Sequence, residues 1–408
     1  MRKVVVIGGG AGGMLAAGRA AECGARVVLL EKNSVLGKKL SITGGGRGNI
    51  TNIAPIDALV AAFGAGGKFL YGAFNRFSNQ DLRDLFLRLG VPTKVERGGR
   101  VFPESDRAGD AVAALERWIR GLSVDVRTGQ RVQGLVAVDG HISGVRVYSG
   151  VIPADAAVLA TGGVTYPKTG STGDGYTMAA EVGHTVVTPV PSLSALEIRE
   201  AWVGRLSGLS LKNVSAKLYS GQKKVAEEFG EMLFTHFGVS GPIILALSKT
   251  YAHLKDKSNV TLVINLKPAV SVEDLDARLV SDFVQPRLFK NYLPELLPRI
   301  MIPVFLELSG IPADESLNKI RAKDRKRIIE LLTNFRLTVK RARSADEAIV
   351  TAGGVSIKEI DPRTMESKLV RGLFFAGEVI DIDAVTGGYN LQAAFSTGWV
   401  AGECAAQD

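Results

Sequence analysis

Unbroken apolar runs, rather than alternation, mark the first thirty residues. Val4 to Ile7 and Arg26 to Leu30 read as strands buried on both faces, and the segment Met14 to Cys23 between them has helical spacing. From Asp81 to Leu122 the spacing is again helical, interrupted by Gly98-Gly99-Arg100-Val101-Phe102-Pro103. Val124 to Val147 alternates like a β-meander, with Val126, Val132, Leu135 and Val145 as candidate inward positions. Val151 to Ala160 is another apolar run, and it ends in Ala160-Thr161-Gly162-Gly163, which predicts a buried strand entering a tight turn. Past Pro189 and Pro191 short strands follow, among them Val214 to Tyr219 and Val260 to Leu266, until Pro268. Val272 to Phe335 is helix-rich. The opening rhythm returns near Ala352-Gly353-Gly354, and Leu373-Phe374-Phe375 predicts one more buried strand. The pattern predicts an α/β protein whose Rossmann-like domain is built from both chain ends.

At 408 residues the chain exceeds what one core supports, so two or three domains are expected. Its 46% hydrophobic and 22% charged residues fall in the globular range, and no stretch supplies the roughly twenty apolar residues of a membrane-spanning helix. Only Met1-Arg2-Lys3 precede the first strand, which does not match a secretory signal and predicts cytoplasmic residence. Cys23 and Cys404 are the only cysteines, so a CxxC redox pair is excluded and both read as small buried hydrophobes. The excess of 50 Lys and Arg over 41 Asp and Glu suits anionic ligands such as FAD, NADPH or a CoA ester, and would equally suit RNA.

Gly8, Gly10 and Gly13 follow the first strand at GxGxxG spacing, with Ala11 and Gly12 between the last two. This turn lets a pyrophosphate lie over a helix N-terminus, where free amides and the helix dipole favour negative charge. Glu31, followed by Lys32, ends the second strand, where a carboxylate can accept from both hydroxyls of a ribose. A nicotinamide enzyme needs only this half. The far end supplies a second: Gly377-Glu378 and Asp381, placed to serve a ribityl chain or pyrophosphate-bound water, then Gly388-Tyr389-Asn390-Leu391-Gln392 opening a helix. The amides of that helix start would favour the charge a reduced flavin gathers near N1. A chain that leaves its nucleotide domain and returns at its end points to a flavin.

Between these halves, Thr43-Gly44-Gly45-Gly46-Arg47-Gly48-Asn49-Ile50-Thr51-Asn52 is too dense in glycine for ordinary turn chemistry, and bare backbone can lie close to a ring or phosphate. Arg47, Asn49 and Thr51 become candidates for the cofactor or substrate. Lys38 and Lys39 either offset phosphate charge or form a solvated pair. His236, beside Ser240-Gly241-Pro242, is a candidate for proton transfer, although a lone histidine is often structural. Arg47 and His236 are the two catalytic candidates. The scattered histidines at 141, 184, 236 and 253 give no metal-ligand spacing, and neither a GxSxG elbow nor a Walker A motif occurs.

Taken together, Val6 to Gly13, Gly37 to Leu40, Gly44 to Asn52, Phe102-Pro103, Thr235 to Pro242 and Gly377 to Gln392 resemble the BaiN-like (YhiN-like) family of bacterial NAD(P)/FAD-dependent oxidoreductases, within the glutathione-reductase-type two-dinucleotide-binding flavoproteins. The resemblance implies an FAD-binding domain from residues 1–189 and 350–408, an inserted β-barrel from 190–268 and 335–349, and a helical subdomain at 269–334. It implies that the backbone of Val132 pairs with adenine. Relatives often carry cysteine where this chain has Gly48, so chemistry here runs without a thiol at that position.

Named members of the family are similar to reductases of conjugated bile-acid double bonds and to an amine oxidase that makes peroxide. The expectation is therefore an FAD enzyme moving hydride through flavin N5, from NAD(P)H to an organic acceptor such as an activated alkene, with a small-molecule substrate and no membrane partner. No second strand-GxGxxG-helix unit appears, so NAD(P)H would bind transiently. A flavin amine oxidase is the alternative. An RNA-associated flavoprotein is the contrasting class, prompted by Lys319, Arg321, Lys323, Arg325, Lys326 and Arg327. Asp324 and Glu330 interrupt that run, and a solvated helix face explains it as well.

Overall fold

A computed structural model describes residues 1–407, which divide into two compact units, Met1–Ser192 with Ala345–Asp408, and Leu193–Ser344. The first is built on a five-stranded parallel sheet. Its order is Leu373–Phe375, Ala156–Leu159, Lys3–Ile7, Arg26–Leu30 and Asp125–Arg127. The unbroken apolar runs are explained by this sheet, since Val4, Val6, Leu29 and Ala156 to Leu159 are all buried. The last strand to be made thus joins a sheet begun by the first.

Two helices cover that sheet in direct backbone contact: Ala11–Glu22, and Tyr389–Ala405 from the chain end. A Cβ on Gly398 would lie 2.2 Å from the Gly12 carbonyl oxygen, and one on Gly402 would lie 2.2 Å from that of Ala16. Small residues on both helices permit the approach. The first helix starts at Ala11, three residues earlier than its spacing predicts, because the last glycines of the motif are already helical. The region Asp81 to Leu122 resolves into helices Asn79–Arg88 and Ala108–Gly121 around strands Thr93–Glu96 and Arg100–Pro103, and the latter pairs with Thr51–Asn52. Val132–Val138, His141–Val147 and Gly150–Pro153 form a meander, with bounds other than expected: Val126 belongs to the parallel sheet through Asp125–Arg127, and the apolar run Val151 to Ala160 is divided between the last meander strand and Ala156–Leu159 of the parallel sheet. Val186–Ser192 pairs with Val350–Val355, antiparallel.

The second unit is a closed antiparallel barrel. Its strands are ordered Leu196–Ile198, Gly238–Ser240, Lys223–Thr235, Ser210–Ser220, Val260–Asn265 and Phe335–Ala342, and the last pairs back with the first. Alternation puts Ala216, Leu218, Leu262, Ile264, Leu337 and Val339 inside and leaves Arg336 and Lys340 outside. The helices Val272–Asp282, Ile302–Ser309 and Ala322–Thr333 share this core through Leu275, Leu279, Phe305, Ile328 and Leu332. Barrel and helical segment are thus one compact body. Among the described residues no helix is long and apolar enough to cross a membrane, and no group of His, Cys, Asp or Glu is arranged to hold a metal ion.

Candidate dinucleotide site

The glycine turn after the first strand has the conformation its sequence predicts. Gly8 has φ +104°, and a Cβ there would meet the Ala160 carbonyl oxygen at 2.5 Å. At Gly13 a Cβ would sit 1.8 Å from the Gly8 oxygen, so the turn closes on itself. At Gly10, by contrast, a Cβ meets nothing within 4 Å, and no side chain caps the helix that follows. The first-turn amides of a twelve-residue helix therefore face open space, which fits a diphosphate. Glu31 is 8% exposed, and its Oε2 accepts from the Gly9 amide at 2.7 Å. Its Oε1 accepts from the backbone and side chain of Asn33 at 2.8 and 2.7 Å. Three of the carboxylate's roughly four acceptor sites are thus taken, and the remaining one, on Oε2, is left for a ribose hydroxyl. Thr161, in the turn after the strand Ala156–Leu159, has a buried Oγ1 with no hydrogen-bond partner among the described residues.

The second half is tied to the first by backbone and short polar side chains. Gly377 has φ +75°, its amide donates to Thr397 Oγ1 at 2.9 Å, and a Cβ there would press on Ala394. Ala394 is also the neighbour of Gly12. Glu378 accepts from Lys39 Nζ at 2.6 Å and from the Thr351 amide at 2.7 Å, while Lys39 also donates to Thr165 Oγ1 at 2.9 Å. Tyr176 donates to the Glu378 carbonyl oxygen at 3.2 Å, and burial together with Glu378 and Asp381 pushes its phenol pKa above the ordinary range. Asp381 donates its amide to Val355. Gly163 belongs to the same cluster, since a Cβ on it would collide with Thr351 Oγ1.

The glycine-rich block meets the last helix at one point. Gly44, Gly45 and Gly46 are exposed and successively left-handed, with φ of +58°, +68° and +87°. In the amide orientation that satisfies both ends, Asn49 accepts from the Gly388 amide at 3.0 Å and donates to the Thr51 carbonyl oxygen at 3.0 Å. Gly388 has φ +97°, and a Cβ on it would lie 2.2 Å from the Thr51 carbonyl oxygen. Thr51 Oγ1 donates to Gln392 Oε1 at 2.5 Å, and Asn52 donates to the Gly387 carbonyl oxygen at 3.0 Å. The start of the last helix is therefore docked on residues 49–52.

Several candidates have other engagements. Arg47 is held by Glu96 and by Asp106, its Nη2 lying 2.6 Å from Asp106 Oδ1, with its guanidinium 4.4 Å from the centre of the Phe102 ring. Lys94 and Arg47 keep the Asp106 carboxyl below the usual carboxylate range, and Arg47 does the same for Glu96. Lys32 turns to Thr172 and to Asp174 at 3.0 Å, and Lys38 is exposed. The Asn390 side chain bonds Ala384 in both directions, Gln392 is fully buried against Thr51, Ser396 and Phe77, and Leu391 and Tyr389 are half-buried at the helix start. These side chains position the helix start. Val132 is buried at the head of the meander, and Ala160 donates its amide to Ile7. His236 lies in the other unit, exposed on the turn between Lys223–Thr235 and Gly238–Ser240, with its ring edge-on to Phe237. Lys94, Glu96, Asp106, Thr165 and Thr351 were not foreseen, because isolated Thr and charged residues carry no spacing signal.

The fold and this site define a Rossmann-type oxidoreductase flavoprotein. The chain belongs to the family described as HI0933-like protein Rossmann domain, whose model matches residues 2–404. A 3-dehydro-bile acid delta(4,6)-reductase of Clostridium scindens is 33% identical over the full length of both chains. A ribosomal RNA dihydrouridine synthase of Escherichia coli is 30% identical, covering 97% of this chain and 96% of that one. Among solved structures, a 3-ketosteroid-delta4-(5alpha)-dehydrogenase from Rhodococcus jostii RHA1 covers all of this chain and 97% of its own, with TM-score 0.54 and 15% identity. An open flavocytochrome c3 fumarate reductase covers all of this chain and 78% of its own, with TM-score 0.55 and 17% identity. Those two are likenesses of fold.

Proposed function

We propose that the chain binds FAD and reduces a carbon–carbon double bond conjugated to a carbonyl, with NAD(P)H as electron donor. The observation that carries the cofactor assignment is the junction at Asn49 and Gly388, which docks a second helix start on the glycine-rich block within the same compact unit as the first nucleotide motif. FAD, when bound, supplies a two-electron carrier that accepts hydride from NAD(P)H and delivers it from N5 to carbon. The turn from Gly8 to Gly13 would hold the pyrophosphate, Glu31 the adenosine ribose and the Val132 strand the adenine. Residues Gly377 to Asp381 would serve the ribityl chain. The opening at Gly388 would favour negative charge on the ring.

The acceptor class rests on what two relatives' names have in common. A 3-oxo steroid with a delta-4 double bond and a uracil ring both present an alkene joined to a carbonyl, so hydride adds at the far carbon while the carbonyl oxygen takes the charge. His236 is the candidate proton donor for the carbon next to that carbonyl. Among the described residues the five-stranded sheet is the one parallel sheet, so NAD(P)H has no nucleotide domain of its own and would visit the flavin site briefly. Purified protein should be yellow, with an absorbance band that anaerobic NADH or NADPH bleaches. Protein that remains colourless after refolding with FAD would overturn the assignment.

A second reading, reduction of uridine in ribosomal RNA, is favoured by where the charge lies. The unit Leu193–Ser344 has 24 basic against 16 acidic residues, whereas the nucleotide unit has 26 against 25. Nearly all the net charge thus belongs to the unit outside the dinucleotide site, which suits a polyanion better than a lone cofactor. Dihydrouridine content of ribosomal RNA in a strain lacking the gene tests this reading directly. A content equal to wild type contradicts it.

A further inference from the structure

The basic run from Lys319 to Arg327 divides into two sets of residues in the folded unit. Arg325 turns inward and pairs with Asp276 at 2.7 Å, and Arg327 pairs with Glu330 one turn along at 2.9 Å. Lys319, Arg321, Lys323 and Lys326 are all exposed and, among the described residues, take part in no ion pair. Ile328, Ile329, Leu331 and Leu332 anchor the helix Ala322–Thr333 from its other side, with Ile328 and Leu332 fully buried. The result is four unneutralised cations within eight residues, Lys323 and Lys326 on the anchored helix and Lys319 and Arg321 just before its start. The acids that interrupt the run in sequence do not neutralise it, since Asp324 and Glu330 leave these four cations unpaired. A solvated helix face would ordinarily alternate its charges, and here the unit as a whole carries a surplus of eight positive charges, 24 against 16.

We propose that the face formed by Lys319, Arg321, Lys323 and Lys326 is a docking surface for the phosphate backbone of structured RNA. This rests on the second reading above and adds to it the surface that would hold the substrate. Charge complementarity selects the partner: four exposed ammonium and guanidinium groups within eight residues, with no aromatic ring among them and only an open hollow lined by Ala322, Lys323, Lys326, Arg327 and Glu330 beside them, match successive phosphates rather than bases. The surface therefore contributes affinity and register, and sequence choice belongs elsewhere.

The experiment is fluorescence anisotropy with a labelled ribosomal RNA hairpin transcript and the full-length flavin-loaded protein, across a salt series. Each lost phosphate contact lowers the slope of log affinity against log salt by about 0.7 to 0.9. The variant Lys319→Glu, Arg321→Glu, Lys323→Glu, Lys326→Glu should lose about 3 from that slope and weaken binding at least tenfold at 0.1 M salt. Its NADPH-dependent flavin bleaching should be unchanged, which shows that it has folded. The control Lys212→Glu, Lys223→Glu, Lys255→Glu, Arg299→Glu alters net charge equally at other exposed positions of the same unit and should keep most of the affinity. Equal losses in the two variants would overturn the assignment of this face, as would wild-type binding to anionic phosphatidylserine vesicles in preference to the RNA. Wild-type protein that does not bind the hairpin at physiological salt would overturn the RNA reading itself.

Discussion

At the scale of single residues, the glycines carry the site. Gly388 has both a left-handed backbone and a carbonyl oxygen 2.2 Å from where a Cβ would stand, so Gly388→Ala must distort the junction with Thr51. It should cost at least about 1–3 kcal/mol of stability and lower the flavin content of purified protein. Gly90→Ala is the control: φ is +80° there, yet a Cβ would meet nothing within 4 Å, so melting should shift without loss of flavin. Equal flavin loss in both would remove the special role of the junction. His184 tests the unit differently. It is buried between Glu359 at 3.2 Å and Ser367 at 2.8 Å, and desolvation lowers its pKa despite the carboxylate. The unfolded chain takes up this proton near pH 6.5 and the folded chain only lower, so the stability His184 provides is complete above about 6.5 and falls as the solution is acidified. Urea melts from pH 7.5 to 5.5 should show a steeper loss in wild type than in His184→Gln. Glycines at fixed spacing were legible in sequence because each marks a backbone need. The network of Lys39, Thr165, Thr351 and Glu378 was not, because its members lie up to 339 residues apart.

Elements follow the same division. The buried strands of the parallel sheet were readable as unbroken apolar runs. The helices Ile56–Ala62 and Gly67–Arg76 were not, because glycines at 64, 66, 67 and 72 mask their period, and tertiary packing of Leu59, Leu70 and Phe74 overrides the propensity. Helix Pro242–Ala252 carried a start signal in the proline after Gly241, yet it falls in a stretch that the sequence pattern presents as short strands. The pairing of the first and last helices is what closes the chain on itself, and it tolerates no bulk. Gly402→Leu should force the helices apart and destabilise the protein by at least about 1–3 kcal/mol, read as a lower melting temperature with flavin released in the same transition. Unchanged melting would show that the helices do not pack as described.

For the whole molecule, the two units have separate physical characters. One is nearly neutral and holds the dinucleotide site, and the other is strongly basic and carries His236. The fold class was legible because both ends of the chain repeat one apolar rhythm. The closed barrel could not be read from short strands alone, since its closure depends on Leu196–Ile198 meeting Phe335–Ala342 across nearly 140 residues. A reductase of conjugated double bonds must pass electrons to carbon without oxygen. The measurement that tests this most directly is anaerobic double mixing, in which NADPH first bleaches the flavin and a 3-oxo-4-ene steroid or a ribosomal RNA hairpin is then added. The account predicts that at least one of these acceptors restores the oxidised flavin spectrum, with one saturated product formed per flavin. Reduced flavin that persists with both acceptors and returns only when oxygen is admitted would contradict it and mark the enzyme as an oxidase.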